Sequence, residues 1–169
     1  MIRGNVILRE SQHSDMPFLK EMLFEAVYWR AITRSDEPSL EHGLAASGVS
    51  HTLSNWGKRD GDVAVIASIN AMPIGAAWYR FWRDDSCIRG HIDSAIPTLV
   101  IAVHGDYRCL GVGQQMIEWL ACYASKHSIA KISLMVSTDN QAINLYRKCG
   151  FVDYKIVDDS ILMTLATQT

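Results

Sequence analysis

The sequence predicts an α/β domain of the α+β kind, a mixed sheet with helices on both faces. Three observations predict it. Paired apolar runs with short connections occur at 63–82 and again at 151–165, the pattern of antiparallel hairpins. A strand–helix–strand unit lies between them, and a parallel pair needs such a crossover. The length, 169 residues, fits one domain spanning 1–169 and is too short for two α/β lobes.

Each element has its own local cause. Val6 to Arg9 reads as a short strand. Ser14-Asp15-Met16-Pro17 reads as a capped helix start with proline in the first turn. Apolar residues at Phe18, Met22, Ala26 and Leu19, Leu23, Val27 carry that helix to about Ile32. A second helix is expected between Ser39 and Trp56, interrupted by glycines. Val63 to Ile69 and Ile74 to Trp82 flank a turn at Asn70-Ala71-Met72-Pro73. Thr98 to Val103 is continuously apolar, as in a strand buried on both faces. Val112, Met116, Leu120 and Ala124 form one stripe of a helix over Val112 to His127, widened by Ile117 and Ala121. Lys131 to Val136 is a strand, and Asn140 to Cys149 a short helix stopped by Gly150. Phe151 to Val157 and Ile161 to Leu165 form the last hairpin.

Composition excludes several classes. Apolar residues make up 49% and charged residues 20%, so disorder is excluded. A net charge of −2 gives no footprint for nucleic acid. No apolar run approaches the roughly 18 residues of a membrane span, and the first residues lack the form of a signal peptide. Cys87, Cys109, Cys122 and Cys149 show no CxxC spacing, which fits free thiols and a cytoplasmic location. No histidine pattern at ligand spacing argues for a metal.

The chemistry concentrates in two segments. Thr98–Val103 ends in His104-Gly105-Asp106-Tyr107-Arg108-Cys109-Leu110-Gly111-Val112-Gly113-Gln114, where a helix begins at two glycines. Its first N–H groups lack intrahelical partners, the helix dipole is positive there, and glycine permits close approach. With Arg108 beside it, the loop suits a pyrophosphate, although it is neither a Walker loop nor GxGxxG. The second segment, Asn140-Gln141-Ala142-Ile143-Asn144-Leu145-Tyr146-Arg147-Lys148-Cys149-Gly150-Phe151, places Asn140 at a helix start and Tyr146 on that helix. Each feature alone also fits a plain glycine turn, an N-cap and a packing ring.

Together the segments resemble the GNAT superfamily of N-acetyltransferases. RxxGxG at 108–113 is similar to its pyrophosphate loop, and N-x-A-x-x-L-Y-x-K-x-G-F at 140–151 to its C-terminal signature. The resemblance implies a mostly antiparallel sheet in which two parallel strands, Thr98–Val103 and Lys131–Val136, splay apart around acetyl-CoA. It implies that the backbone of Ile101, Ala102 and Val103 pairs with the pantetheine, that the N–H groups of Cys109, Leu110, Gly111, Val112, Gly113 and Gln114 hold the pyrophosphate with Arg108 nearby, and that Asn140 bonds the pantetheine arm. The Val103 N–H would stabilise the oxyanion, and Tyr146 would protonate or hydrogen-bond the departing sulfur.

One departure concerns the base. Similar proteins often read Pro-Glu-Leu where this chain has Pro97-Thr98-Leu99. By position, Glu25, His91 and Asp93 are substitutes. An acceptor pocket is expected between the first two helices, the hairpin around Trp78 and the last hairpin, with Tyr28, Trp29, Trp78 and Tyr79 as candidate lining or core residues. The expected acceptor is a primary amine of a small molecule. The alternatives are a protein N-terminus or lysine, or a non-catalytic acyl-CoA sensor. A homodimer is common among similar proteins, but no stripe in the sequence marks an interface.

Overall fold

The computed structural model describes residues 5–30, 38–46, 48–86 and 88–167. Seven strands form one sheet: β1 Ile7–Glu10, β2 Val63–Ile69, β3 Met72–Arg80, β4 Thr98–Val103, β5 Lys131–Ser137, β6 Val152–Val157 and β7 Ser160–Ala166. The helices are α1 Met16–Val27, α2 Leu40–Ala45, α3 Val112–Lys126 and α4 Ala142–Lys148. The spatial order is β1-β2-β3-β4-β5-β7-β6. Every neighbouring pair is antiparallel except β4 and β5. The predicted fold class and order of elements hold.

The sheet has a core on each face. Alternation along the strands produces both, because successive side chains point to opposite sides. Leu99, Ile101 and Val103 of β4 pack on the side of α3, with Met116, Ile117, Leu120 and Tyr79. Val100 and Ala102 turn to the other side, with Leu19, Met22 and Leu23 of α1 and with Trp78. The predicted α3 stripe is buried as expected. Each such Leu, Ile or Met contributes about 1.5–3 kcal/mol of burial.

Several boundaries differ from expectation. The first helix ends at Val27, where the N–H of Tyr28 closes on the Phe24 carbonyl at 2.9 Å; Ile32 lies outside the described residues. Its start is a 3-10 turn over His13–Asp15, in which Asp15 rather than Ser14 accepts the Gln12 N–H and pairs with Arg9. The second helix is only Leu40–Ala45, because Ala46 is extended and Gly48 has φ +85°. From Gly48 to Gly61 the chain runs in turns and bends. Met72 and Pro73 belong to β3 rather than to the turn, which is Asn70-Ala71.

Those turns are held by a buried ion pair. Arg80 and Asp62 side chains are 1% and 2% exposed. Arg80 donates to both Asp62 oxygens at 2.8 Å and to the carbonyls of Thr52 (3.1 Å) and Ser54 (2.8 Å). Asp62 also accepts the Gly57 N–H at 2.9 Å. Trp56 and Trp82 cover the guanidinium. Such a charge is tolerable only because its donors are met.

Candidate active site

The site begins where two parallel strands fail to stay together. β4 and β5 share one register pair, Thr98 with Ser133. There the Ser133 N–H donates to the Pro97 carbonyl at 2.9 Å. The buried Ser133 hydroxyl donates to the Gly90 carbonyl at 2.6 Å. Beyond this point each strand is bound only on its outer side, β4 to β3 and β5 to β7. A gap opens between them, and backbone groups facing it need partners.

Strand parity identifies those groups. The His104 N–H bonds the Ile74 carbonyl at 2.9 Å, so even-numbered residues of β4 turn their backbone to β3. The Pro97 carbonyl bonds β5, so the odd-numbered residues face the gap. Ile101 and Val103 therefore present backbone groups to the opening, as expected. Ala102 does not: it stands opposite Ala76 and its N–H and C=O belong to the β3 ladder. The expectation of three consecutive pairing residues fails on the two-residue repeat of a strand.

The glycine loop leads from β4 to α3 through a 3-10 turn at Gly105–Tyr107. Gly111 is the α3 N-cap at φ +80°, and a Cβ there would meet nothing within 4 Å. Cys109 also has a positive φ, 60°. The N–H groups of Leu110, Val112 and Gln114 thus lie in or just behind a turn that suits an anion. Gly113 has a close neighbour of another kind. A Cβ on it would stand 2.9 Å from Cδ2 of Leu145, so this glycine permits α3 and α4 to pack. The strained Cys109 yields a test: Cys109→Gly is expected to stabilise the fold by roughly 0.5–1 kcal/mol, since glycine removes the left-handed penalty and returns part of it as chain entropy. A thermal melt should rise by about 1–4 °C; a fall would show that the thiol makes a contact worth more than the strain.

Arg108 is turned back toward the strand end. Its Nε donates to the Val103 carbonyl at 2.9 Å and its Nη2 to Glu25 at 3.0 Å. Glu25 also meets His104 Nδ1 at 3.0 Å, and Glu21 lies 3.5 Å from His104 Nε2. The Val103 carbonyl is thus occupied while its N–H faces the gap.

Asn140 caps α4: its Oδ1 accepts the Ala142 N–H at 2.9 Å. The amide nitrogen is left to donate elsewhere, so the capping role and a ligand role coexist. Tyr146 is buried among Phe151 and the α3 core. Its hydroxyl has no hydrogen bond among the described residues, and unlike that of Tyr79 it is not sealed off. Burial pushes its pKa up to about 12, with Cys149 adding a little. The group is a neutral donor throughout the physiological range.

The other candidates separate. Thr98 is 6% exposed, its hydroxyl 3.3 Å from that of Ser133. Its Cγ2 packs against Gly90, where an added Cβ would stand only 2.8 Å from it. Trp78 and Tyr79 are both buried and lie on opposite faces, so neither forms a shared pocket wall. The Tyr28 hydroxyl donates to the Gly43 carbonyl at 3.0 Å, and Trp29 lies under Arg30. Cys109, Cys122 and Cys149 are free, and Cys87 lies outside the described residues. Among the described residues no cluster of three or more His, Cys, Asp or Glu could hold a metal, and no helix is long and apolar enough to cross a membrane.

A profile of the Acetyltransferase (GNAT) domain matches residues 60–153. The PaiA N-acetyltransferase of Thermoplasma acidophilum, solved in complex with coenzyme A, is similar at TM-score 0.68 and 16% identity, over 96% of this chain and 99% of that one. An acetyltransferase of the GNAT family from Streptococcus pneumoniae matches at TM-score 0.68 and 22% identity, over 96% and 99% of the two chains. The putative acetyltransferase yncA of Salmonella typhimurium, solved with its cofactor acetyl-CoA, matches at 0.64 and 16%, over 96% and 94%. The profile covers more than half of the sequence and includes the splayed strands, the glycine loop and the Asn140–Tyr146 segment, so the chain belongs to the GNAT acetyltransferase family.

Proposed function

We propose that this acetyltransferase uses acetyl-CoA as its donor and a primary amine of a small molecule as its acceptor, in direct transfer. The observation that carries the reading is the β4–β5 pair, which meets at Thr98 and then opens with the Ile101 and Val103 backbone facing the gap. An extended pantetheine arm fits as a short added strand. Its pyrophosphate would lie at the Gly111 turn. The Val103 N–H would receive the oxyanion, and the Asn140 amide would hold the arm. In the transfer the amine nitrogen bonds the thioester carbon, the C–S bond breaks, and sulfur leaves beside Tyr146. The free thiols of the described residues support a cytoplasmic place for this chemistry.

The test is turnover with acetyl-CoA and a panel of small amines and peptides. Free thiol should appear in step with acetylated small amine. Acetylated peptide alone would move the acceptor to a protein. Binding without turnover would leave a sensor.

Ligand binding has its own check. At about 100 times its Kd, acetyl-CoA should stabilise the fold by roughly 2.7 kcal/mol. Gly111→Asp tolerates the left-handed backbone better than most residues and sets a negative charge in the open space of the turn. Binding at least tenfold weaker, cutting that stabilisation to about 1.4 kcal/mol or less, is expected. An unchanged shift in folded Gly111→Asp would remove the pyrophosphate from this loop.

A further inference from the structure

Arg108 occupies a place that the donor's arm needs. Val103 is an odd-numbered residue of β4, so its carbonyl faces the gap and stands where an amide N–H of an added strand would donate. In the structure that carbonyl accepts from Arg108 Nε at 2.9 Å. The loop's own geometry puts the guanidinium there. The Tyr107 N–H closes on the His104 carbonyl at 2.9 Å, and the Arg108 N–H on that of Gly105 at 3.3 Å. These turns fold the chain back, and Arg108 meets the strand end again five residues after Val103.

A second hold comes from α1. Phe18, Glu21 and Glu25 stand at i, i+3 and i+7 on one face of that helix. The Phe18 ring packs edge-on against His104, with centroids 5.7 Å apart. Glu21 Oε1 lies 3.5 Å from His104 Nε2, and Glu25 Oε1 lies 3.0 Å from Nδ1. His104 thereby fixes Glu25 at the end of β4, and the other Glu25 oxygen accepts from Arg108 Nη2 at 3.0 Å. The Glu25 side chain is 18% exposed and that of Arg108 is 42% exposed. The carboxylate is the anchored partner, and the guanidinium is the one with room to leave.

A pantetheine thioester without phosphates has nothing to offer this arginine. To pair with the Val103 carbonyl it must break a hydrogen bond from a charged donor. A coenzyme A thioester carries phosphates, and Arg108 stands three residues before Gly111, whose turn suits them. A phosphate takes a guanidinium as well as a carboxylate does. Arg108 then gives up Val103 and Glu25 in one exchange, anion for anion.

We infer that Arg108, held by Glu25, makes the site select a phosphorylated donor: it blocks the Val103 carbonyl against a bare pantetheine thioester and yields it to one whose phosphates draw the guanidinium away. The inference rests on the acetyl-CoA reading of the gap and adds a selectivity residue to it.

The experiment compares acetyl-CoA with S-acetylpantetheine, which shares the arm and thioester and lacks every phosphate. Calorimetry measures both Kd values for the wild type, Arg108→Ala, Glu25→Ala and the double variant, and thermal melts report folding. Arg108→Ala should bind S-acetylpantetheine about threefold more tightly and acetyl-CoA about tenfold more weakly. Glu25→Ala should tighten S-acetylpantetheine by a similar factor, and should add nothing once Arg108 is gone. S-acetylpantetheine is uncharged, so the altered net charge of a variant does not produce either gain. Arg108→Met, which keeps the apolar stem, takes the place of Arg108→Ala if the latter does not fold. An Arg108 variant that loses affinity for both donors, or leaves S-acetylpantetheine unchanged, overturns the gate alone. A wild type that binds neither donor overturns the acetyl-CoA reading and the gate with it.

Discussion

Asp62→Ala is expected to destabilise the protein by about 3–5 kcal/mol, the cost of leaving a buried charge without its partner. Arg80 would keep only the Thr52 and Ser54 carbonyls, in a site where its side chain is 1% exposed. For a chain of this size that is a fall in Tm of roughly 6–20 °C. Asp62→Ala with Arg80→Met should recover much of it, since removing both charges removes the desolvation cost as well. The consequence reaches the site, because Arg80 stands opposite Thr98 in the β3–β4 ladder and Thr98 closes the gap. Urea or thermal unfolding of the single and double variants decides the matter. A single variant within about 1 kcal/mol of wild type would show that water enters and solvates Arg80, and would reduce the clamp to a surface contact.

That clamp also shows what a sequence conceals. The strands were legible because their causes are local: a β-branched run at 63–69, unbroken apolar residues at 98–103. The α3 stripe was legible because its period is 3.6 residues. The segment 48–62 was not, because the Arg80 that organises it comes after the whole of β2 and its carbonyl acceptors carry no side-chain signal. The site divides the same way. Gly111 could be read as a helix start from its spacing, and it is the α3 N-cap. Ala102 was misassigned because a motif marks residues, while the hydrogen-bonding direction of a backbone alternates along them. Gly113 lay in the right loop, but its partner, Leu145, is across a helix pair. Arg108 was expected at the anion and is held instead by Glu25, 83 positions earlier.

Tyr146→Phe is expected to lower kcat by about 10- to 150-fold while leaving acetyl-CoA affinity and stability almost unchanged. The magnitude follows from deciding between two roles. A general acid contributes about 100- to 10,000-fold, but it must give up its proton. Burial holds the Tyr146 hydroxyl at about 12, whereas a thiol such as that of cysteine ionises near 8.5. Full transfer to the departing thiolate is thus uphill by about 3.5 units, or roughly 4.8 kcal/mol. A hydrogen bond donated to that charge costs no transfer and is worth about 1.5–3 kcal/mol, which sets the range given. Stability should hold because the hydroxyl has no partner to lose among the described residues, and the ring keeps its contact with Phe151. The same position predicts no descending limb from this tyrosine in wild-type kcat between pH 7 and 10. Steady-state kinetics of the two proteins, with acetyl-CoA Kd measured separately, provide the check. Equal kcat values would reduce Tyr146 to a packing residue. A fall beyond about 1,000-fold would mean that the proton does transfer, and that acetyl-CoA lowers the phenol's pKa when it fills the gap.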